Sequence, residues 1–174
     1  MDYTQKHRAQ AQRYAESFIK DIIDGTIRIN QLDKRGRSFL HNEQAMIAWH
    51  PEILGWMIER GADVNLKDKH GITPLHLWYS MENVALTLID NGADVNAQDE
   101  NGNTPFHRGI GLTEKIVNRM ICAGADFTIK NKEGVSRYDN ILLLARKTGE
   151  DDAYYQEYQT VAACVREYVL SANS

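Results

Sequence analysis

Gly71-Ile72-Thr73-Pro74-Leu75-His76 comes back further along the chain as Gly102-Asn103-Thr104-Pro105-Phe106-His107. A second signature, Gly-Ala-Asp-Val-Asn, stands at Gly61–Asn65 and Gly92–Asn96 and returns altered as Gly124-Ala125-Asp126-Phe127-Thr128. The glycines that open the first signature, Gly36, Gly71, Gly102 and Gly134, step by 35, 31 and 32 residues. Those of the second step by 31 and 32. Recurrence at such a period marks a chain of stacked units, each burying its apolar side only against the next.

Each signature has a local physical meaning. Thr73 and Thr104 suit the N-cap, where a hydroxyl meets an orphan backbone N–H. Pro74 and Pro105 follow at the first helical position, where a missing N–H costs nothing. His76 and His107 stand where a capping box carries Glu, so the imidazole reaches back to the threonine. Gly61, Gly92 and Gly124 suit the left-handed residue that ends a helix. Apolar pairs precede them: Met57-Ile58, Leu88-Ile89 and Met120-Ile121. The stretches Asn65–Lys69, Asn96–Glu100 and Thr128–Lys132 are expected to form the turns between units.

A period near 33 carrying T-P-L-H resembles the ankyrin repeat, a β-turn followed by two antiparallel helices. The resemblance implies an all-α fold, an α-solenoid of such units. Its expected division is a capping helix and first turn (1–32), repeats at 33–67, 68–98 and 99–130, and a degenerate capping repeat at 131–174. It also implies that the signature histidines bond neighbouring backbone. Partners of this family usually meet the turn tips and the exposed positions of the inner helices. Carried onto this chain, the tips give Lys34, Arg35, Arg37, Lys69, His70, Ile72, Glu100, Asn101, Asn103, Lys132, Glu133 and Val135. The inner helices add Met46, Met81 and Leu112.

Both ends read as caps. Residues 5–24 form an amphipathic helix with Ala11, Tyr14, Ala15, Phe18, Ile19, Ile22 and Ile23 on one face. Ile29-Asn30 then echoes Val64-Asn65, as though half a repeat had lost its first helix. At the far end, Gly134-Val135-Ser136-Arg137-Tyr138-Asp139 fills the signature slot without its proline or histidine, and Ile141–Leu144 would be its inner helix. Residues 152–171 predict a closing helix with Tyr155, Tyr158, Val161, Ala162, Val165, Tyr168 and Val169 inward, and Glu157, Arg166 and Glu167 outward.

The bulk numbers exclude more than they assign. The net charge of −4 over 174 residues argues against a general phosphate-binding surface. Residues 1–40 hold eight basic and five acidic side chains, and residues 149–174 one basic and five acidic; both read as solvated helix faces. Cys122 and Cys164 have no metal or redox spacing and are expected as buried free thiols. No signal-like apolar stretch and no apolar run of membrane length occurs, so the cytoplasm is the expected compartment. No phosphate-loop, dinucleotide, zinc-protease or C-x-x-C motif is present. His41, His76 and His107 recur inside the repeat signature, which makes them structural rather than metal ligands. No catalytic residue, metal or cofactor is expected, nor a small-molecule substrate or nucleic acid.

Two departures from the pattern stand out. Trp78 and Gly109 each lie two residues past their histidines, as a large-against-small packing pair or as an aromatic anchor beside a deformable helix. Trp56 falls at a slot expected to face solvent, so it either turns inward or offers an exposed aromatic. The expected function is non-catalytic binding of another protein by a chain that is monomeric when free. With no other domain in the chain, occlusion of the partner, as by an inhibitor or immunity protein, is the favoured expectation. An adaptor or a host-directed effector is the alternative.

Overall fold

The computed structural model describes residue 13 and residues 16–41, 51–78, 81–108, 113–140, 143 and 155–172. The helices are α1 (16–23), α2 (Pro51–Glu59), α3 (Pro74–Trp78), α4 (Glu82–Asp90), α5 (Glu114–Cys122) and α6 (Tyr155–Ala172), with a further helical stretch at 137–140. Two 3₁₀ turns, Phe39–His41 and Pro105–Arg108, stand where the first and third signatures open their helices. Among the described residues there is no strand, only a bridge between Lys130 and Ser136.

The elements stack in two rows. The Phe39–His41 turn packs on α3, and α3 on the Pro105–Arg108 turn. Behind them α2, α4, α5 and α6 pack in succession, with α3 against α4 joining the rows. Leu54, Met57, Leu75, Leu88, Ile116, Val117, Met120, Phe127 and Val165 are buried between them. Each such aliphatic side chain contributes about 1.5–3 kcal/mol on leaving water.

The second-row helices α2, α4 and α5 end in the same way. After α4, Gly92 N–H donates to Ile89 O (3.1 Å) and Ala93 N–H to Leu88 O (3.0 Å). Gly61 and Ala62, then Gly124 and Ala125, repeat both bonds. This closure needs a left-handed residue at the first position, and Gly92 has φ of 82°. It also places the apolar pairs one and two residues before the last helical residue. Met57, Leu88 and Met120 are buried, whereas of their followers only Ile89 is.

The tight reversals lie three residues later than expected. They are not Asn65–Lys69 and its counterparts but residues 33–37, 68–72, 99–103 and 131–135. In each the first residue's N–H donates to the fifth residue's carbonyl, as Asp68 does to Ile72 (2.9 Å). The asparagines of the second signature make a separate row of contacts. Asn65 donates from its side-chain amide to Gly92 O (2.9 Å) and accepts from Asp94 N–H (2.7 Å). Asn30 and Asn96 make the same two bonds to the units that follow them.

The caps account for the altered signatures. Phe39 occupies the proline slot of the first unit, and its ring lies 4.4 Å from that of Phe18 on α1. Phe18 is buried and Ile19 and Ile22 are half-buried, but Ile23 is 69% exposed and leaves the expected inward face. On α6, Val161, Ala162 and Val165 are buried, Tyr168 and Val169 half-buried, and Arg166 and Glu167 exposed. The Phe127 ring bridges Phe106 (4.3 Å) and Tyr168 (5.9 Å), tying the third unit to the closing helix. Ala11, Tyr14 and Ala15 lie outside the described residues, as do Ile141 and Leu144 and the side chains of Tyr155, Glu157 and Tyr158.

The cysteine expectation needs correction. Cys122 is exposed and Cys164 half-buried. The buried stripe of α5 runs through Ile116, Val117 and Met120, and Cys122 falls off it at the helix end. Burial does push the Cys164 thiol up from its ordinary pKa.

Candidate functional site

The turn tips are built by their acids. Asp33 Oδ1 accepts from Arg35 N–H (2.7 Å) and Arg37 N–H (2.9 Å). Asp68 accepts from His70 (2.8 Å) and Ile72 (3.0 Å), and Asp99 from Asn101 (2.8 Å) and Asn103 (2.9 Å). Asn131 does the same for Glu133 and Val135. The backbone bond from Arg37 holds the Asp33 carboxyl below its usual range. Burial pushes the Asp68 carboxyl up, but the donors of His70, Ile72 and Arg37 outweigh it and leave the pKa lowered.

Successive tips are joined through backbone. Lys69 N–H donates to Arg35 O (3.2 Å), Glu100 N–H to His70 O (2.7 Å) and Lys132 N–H to Asn101 O (2.9 Å). The approach is close enough to require glycine. A Cβ on Gly71 would lie 3.2 Å from Asp99 Cα, and one on Gly102 3.2 Å from Asn131 Cα, both at positive φ. The row of tips is therefore a backbone ladder with side chains displayed along it.

The signature histidines brace this ladder from within. His76 Nδ1 accepts from Thr73 N–H (3.1 Å) and lies 2.8 Å from Thr73 Oγ1, as the capping reading anticipates. An accepting Nδ1 places the proton on Nε2, which donates to Asn103 O of the next tip (3.0 Å). His41 reaches Ser38 and Ile72 O (2.8 Å) in the same way, and His107 reaches Thr104 and Val135 O (3.2 Å). Burial lowers the pKa of His41 and of His107, favouring the neutral ring that this bonding needs.

The structure sorts the proposed contact residues. Lys34, Arg35, Lys69, His70, Glu100, Asn101, Lys132 and Glu133 are exposed. Arg37 is half-buried, with Nε 3.4 Å from Asp68 Oδ2. Asn103 is half-buried and its side-chain oxygen accepts from Asn131 (2.9 Å). Val135 and Met81 are half-buried, and Met81 packs on the core. Ile72 is only 8% exposed and is corrected from contact residue to core. Its side chain turns inward at the end of the tip while its carbonyl meets His41. Met46 and Leu112 lie outside the described residues, as does Gly109. His70 Nδ1 lies 2.9 Å from a Glu100 carboxylate oxygen, and this contact raises the His70 pKa.

Trp56 and Trp78, two of the three tryptophans, are accounted for by packing. Trp78 is buried, and its indole N–H donates to Leu40 O (2.6 Å) of the preceding unit. Trp56 is half-buried, with the Arg60 guanidinium 4.0 Å above its ring.

A cleft of about 660 Å³ between α4 and α5 was not anticipated; its lining includes Leu86, Thr113, Asn118 and Cys122. Its rims are already neutralised. Glu82 accepts from Thr113 (2.7 Å) and Lys115 (3.2 Å), and Arg119 pairs with Asp90. The only trace in the sequence is opposite charges about one period apart, too common a pattern to single out. Among the described residues no group of His, Cys, Asp or Glu could hold a metal, and no helix is long and apolar enough to cross a membrane.

The family model of ankyrin repeats (3 copies) matches the chain over residues 7–99 and again over 43–131. No curated protein matches it.

Proposed function

Because the chain belongs to the ankyrin-repeat family, we propose that it binds one partner protein along its turn tips and by doing so inhibits or neutralises it. Ankyrin repeats are protein–protein interaction modules and generally non-catalytic. One observation carries the reading: the exposed side chains of the tips sit on a backbone already locked from one unit to the next. A surface ordered before binding loses little further entropy on association. Lys34, Arg35, Lys69, His70, Glu100, Asn101, Lys132 and Glu133 form the contact row, with Arg37, Asn103, Val135 and Met81 at its margin.

The row spans the proposed units 33–67, 68–98, 99–130 and 131–174. A stable complex buries on the order of 1,200–2,000 Å² in total, which calls for several tips at once. The mode of action is occlusion, without catalysis or cofactor, by a chain that is monomeric when free. The unbridged Cys164 and exposed thiol of Cys122 suit a reducing compartment such as the cytoplasm.

Cross-linking and affinity capture identify the partner; amide exchange on the purified pair then maps the contact. Protection centred on the four tips, with a one-to-one complex in which the partner's own activity is lost, is the expected outcome. Retained activity alongside further bound proteins would make the chain an adaptor. Protection centred on Trp56 and Arg60 instead would overturn the assignment of the surface.

A further inference from the structure

We infer that the segment of the partner lying on the first two tips is an acidic stretch of polypeptide, an inference that rests on the tip row being the contact surface. The chain as a whole carries a net charge of −4, which gives no hint of a cationic site. The fold separates the charges at these tips by what each one does. Asp33 and Asp68 point into their own turns, each accepting two backbone N–H groups, and the second oxygen of Asp68 faces Arg37. Asp68 is thereby engaged inside the protein through both oxygens, whereas Asp33 commits one oxygen to its turn and stays at the surface.

The cations beside them are turned the other way. Lys34, Arg35 and Lys69 are exposed, and among the described residues none forms a direct ion pair, although the Asp33 carboxylate lies near enough to Arg35 to feel its charge. Lys67, also exposed, donates to the neutral carbonyl of Gln98 (3.2 Å), which leaves its charge uncompensated. The bond from Lys69 N–H to Arg35 O (3.2 Å) and the close packing of Gly36 on Lys69 hold these cations on adjoining backbone. Like charges fixed side by side repel, and an anionic partner relieves that repulsion. The patch is bounded at the third tip, where Glu100 meets His70.

A protein segment suits this patch better than a nucleic acid. The net negative charge of the chain opposes a long polyphosphate. Among the described residues no aromatic ring lies open beside the patch for base stacking, since Phe39 is packed on Phe18. Carboxylates spaced along an extended peptide match cations presented from successive turns, and the planar guanidinium of Arg35 is suited to bidentate contact.

The test uses the full chain and fluorescence anisotropy with three labelled probes of equal length. They are a Glu/Asp-rich peptide with Gly and Ser spacers, its Lys counterpart, and a single-stranded oligonucleotide. The acidic peptide is expected to bind, and to weaken about tenfold or more between roughly 20 and 200 mM salt. The triple reversal Lys34→Glu, Arg35→Glu, Lys69→Glu is expected to abolish that binding, while Arg166→Glu on α6 leaves it unchanged. Circular dichroism checks the fold of each variant, and single reversals at Lys34 and Lys69 serve if the triple variant does not fold. Equal binding of the acidic and basic peptides, indifference to the reversals, or tighter binding of the oligonucleotide would each overturn the inference. An exchange footprint that falls on the tips, with no acidic-peptide binding, would overturn this inference alone and leave the contact surface standing.

Discussion

The interior units and the last one solve the same local problem with different residues. In the first three, a histidine bonds its own turn through Nδ1 and the next tip through Nε2. In the fourth, Asp139 replaces it: its carboxylate accepts from Ser136 Oγ (2.7 Å) and Ser136 N–H (3.3 Å). The second signature changes in parallel. Asn30, Asn65 and Asn96 reach forward to the following unit, whereas Thr128 at the end bonds only Asp126 of its own bend. Where another copy follows, the position holds a side chain with two opposed bonding ends. Where none follows, one end suffices. The departures at 128 and 139 are those of a terminal unit, and they mark where the hydrogen-bonded ladder stops.

Breaking a forward-reaching residue should cost more than breaking its terminal counterpart. His76→Ala leaves Asn103 O and Thr73 N–H without their ring partner and opens a buried space. It is expected to cost about 2–4 kcal/mol, against about 0.5–2 for Asp139→Ala, which loses a cap alone. Urea titrations of the two variants check this, and equal losses would remove the distinction.

The glycines allow a cleaner contrast. Gly71 and Gly134 have nearly the same φ, 74° and 76°, but only at Gly71 does an added Cβ meet backbone. Gly134→Ala is expected to cost about 1–2 kcal/mol for the left-handed conformation, and Gly71→Ala roughly 1–2 more for the displaced tip. Thermal melts of the pair isolate the packing contribution by subtraction. For the asparagine row, Asn65→Ala should lose about 1–2 kcal/mol and Thr128→Ala under about 0.5.

The smallest effect is a pH dependence. The folded pKa values of His41 and His107 lie below the ordinary value near 6.5. Above that value both rings are neutral in the folded and the unfolded chain, and their contribution is complete. As pH falls through it the unfolded chain takes up protons first, so stability declines until the folded pKa is reached. His70 has the opposite sign: its pairing with Glu100 contributes below the ordinary value and fades as pH rises through the raised pKa. Both of these partners are exposed, so this contribution is the weaker. Urea midpoints at about pH 7.5 and 5.5 should differ in favour of the higher, and His41→Gln should shrink the difference.

The Thr-Pro starts, the glycine helix ends and the period near 33 were legible because each depends on residues within a few positions of one another. The reach of His76 back to Thr73 was legible for the same reason. Other features were not. Ile72 reads as a tip residue by position, yet its side chain enters the core. Cys122 reads as apolar by its neighbours, yet it sits off the buried stripe. The reversals at 68–72 were misplaced because Asp68, not Asn65, gathers the turn's N–H groups, and aspartate and asparagine suit either bend.

What the sequence by itself determined is the repeating unit. Capping, left-handed glycine and apolar spacing act over a single turn of chain. What only the tertiary structure decided is which charged side chains are tied into the turns. Asp33 and Lys34 are adjacent in the chain and cancel in any count. Both side chains are exposed, but folding ties the carboxylate to backbone N–H groups of its own turn and gives the ammonium no such bond. That sorting depends on how the turn closes and on the next unit stacked against it, and no count of residues along the chain contains it.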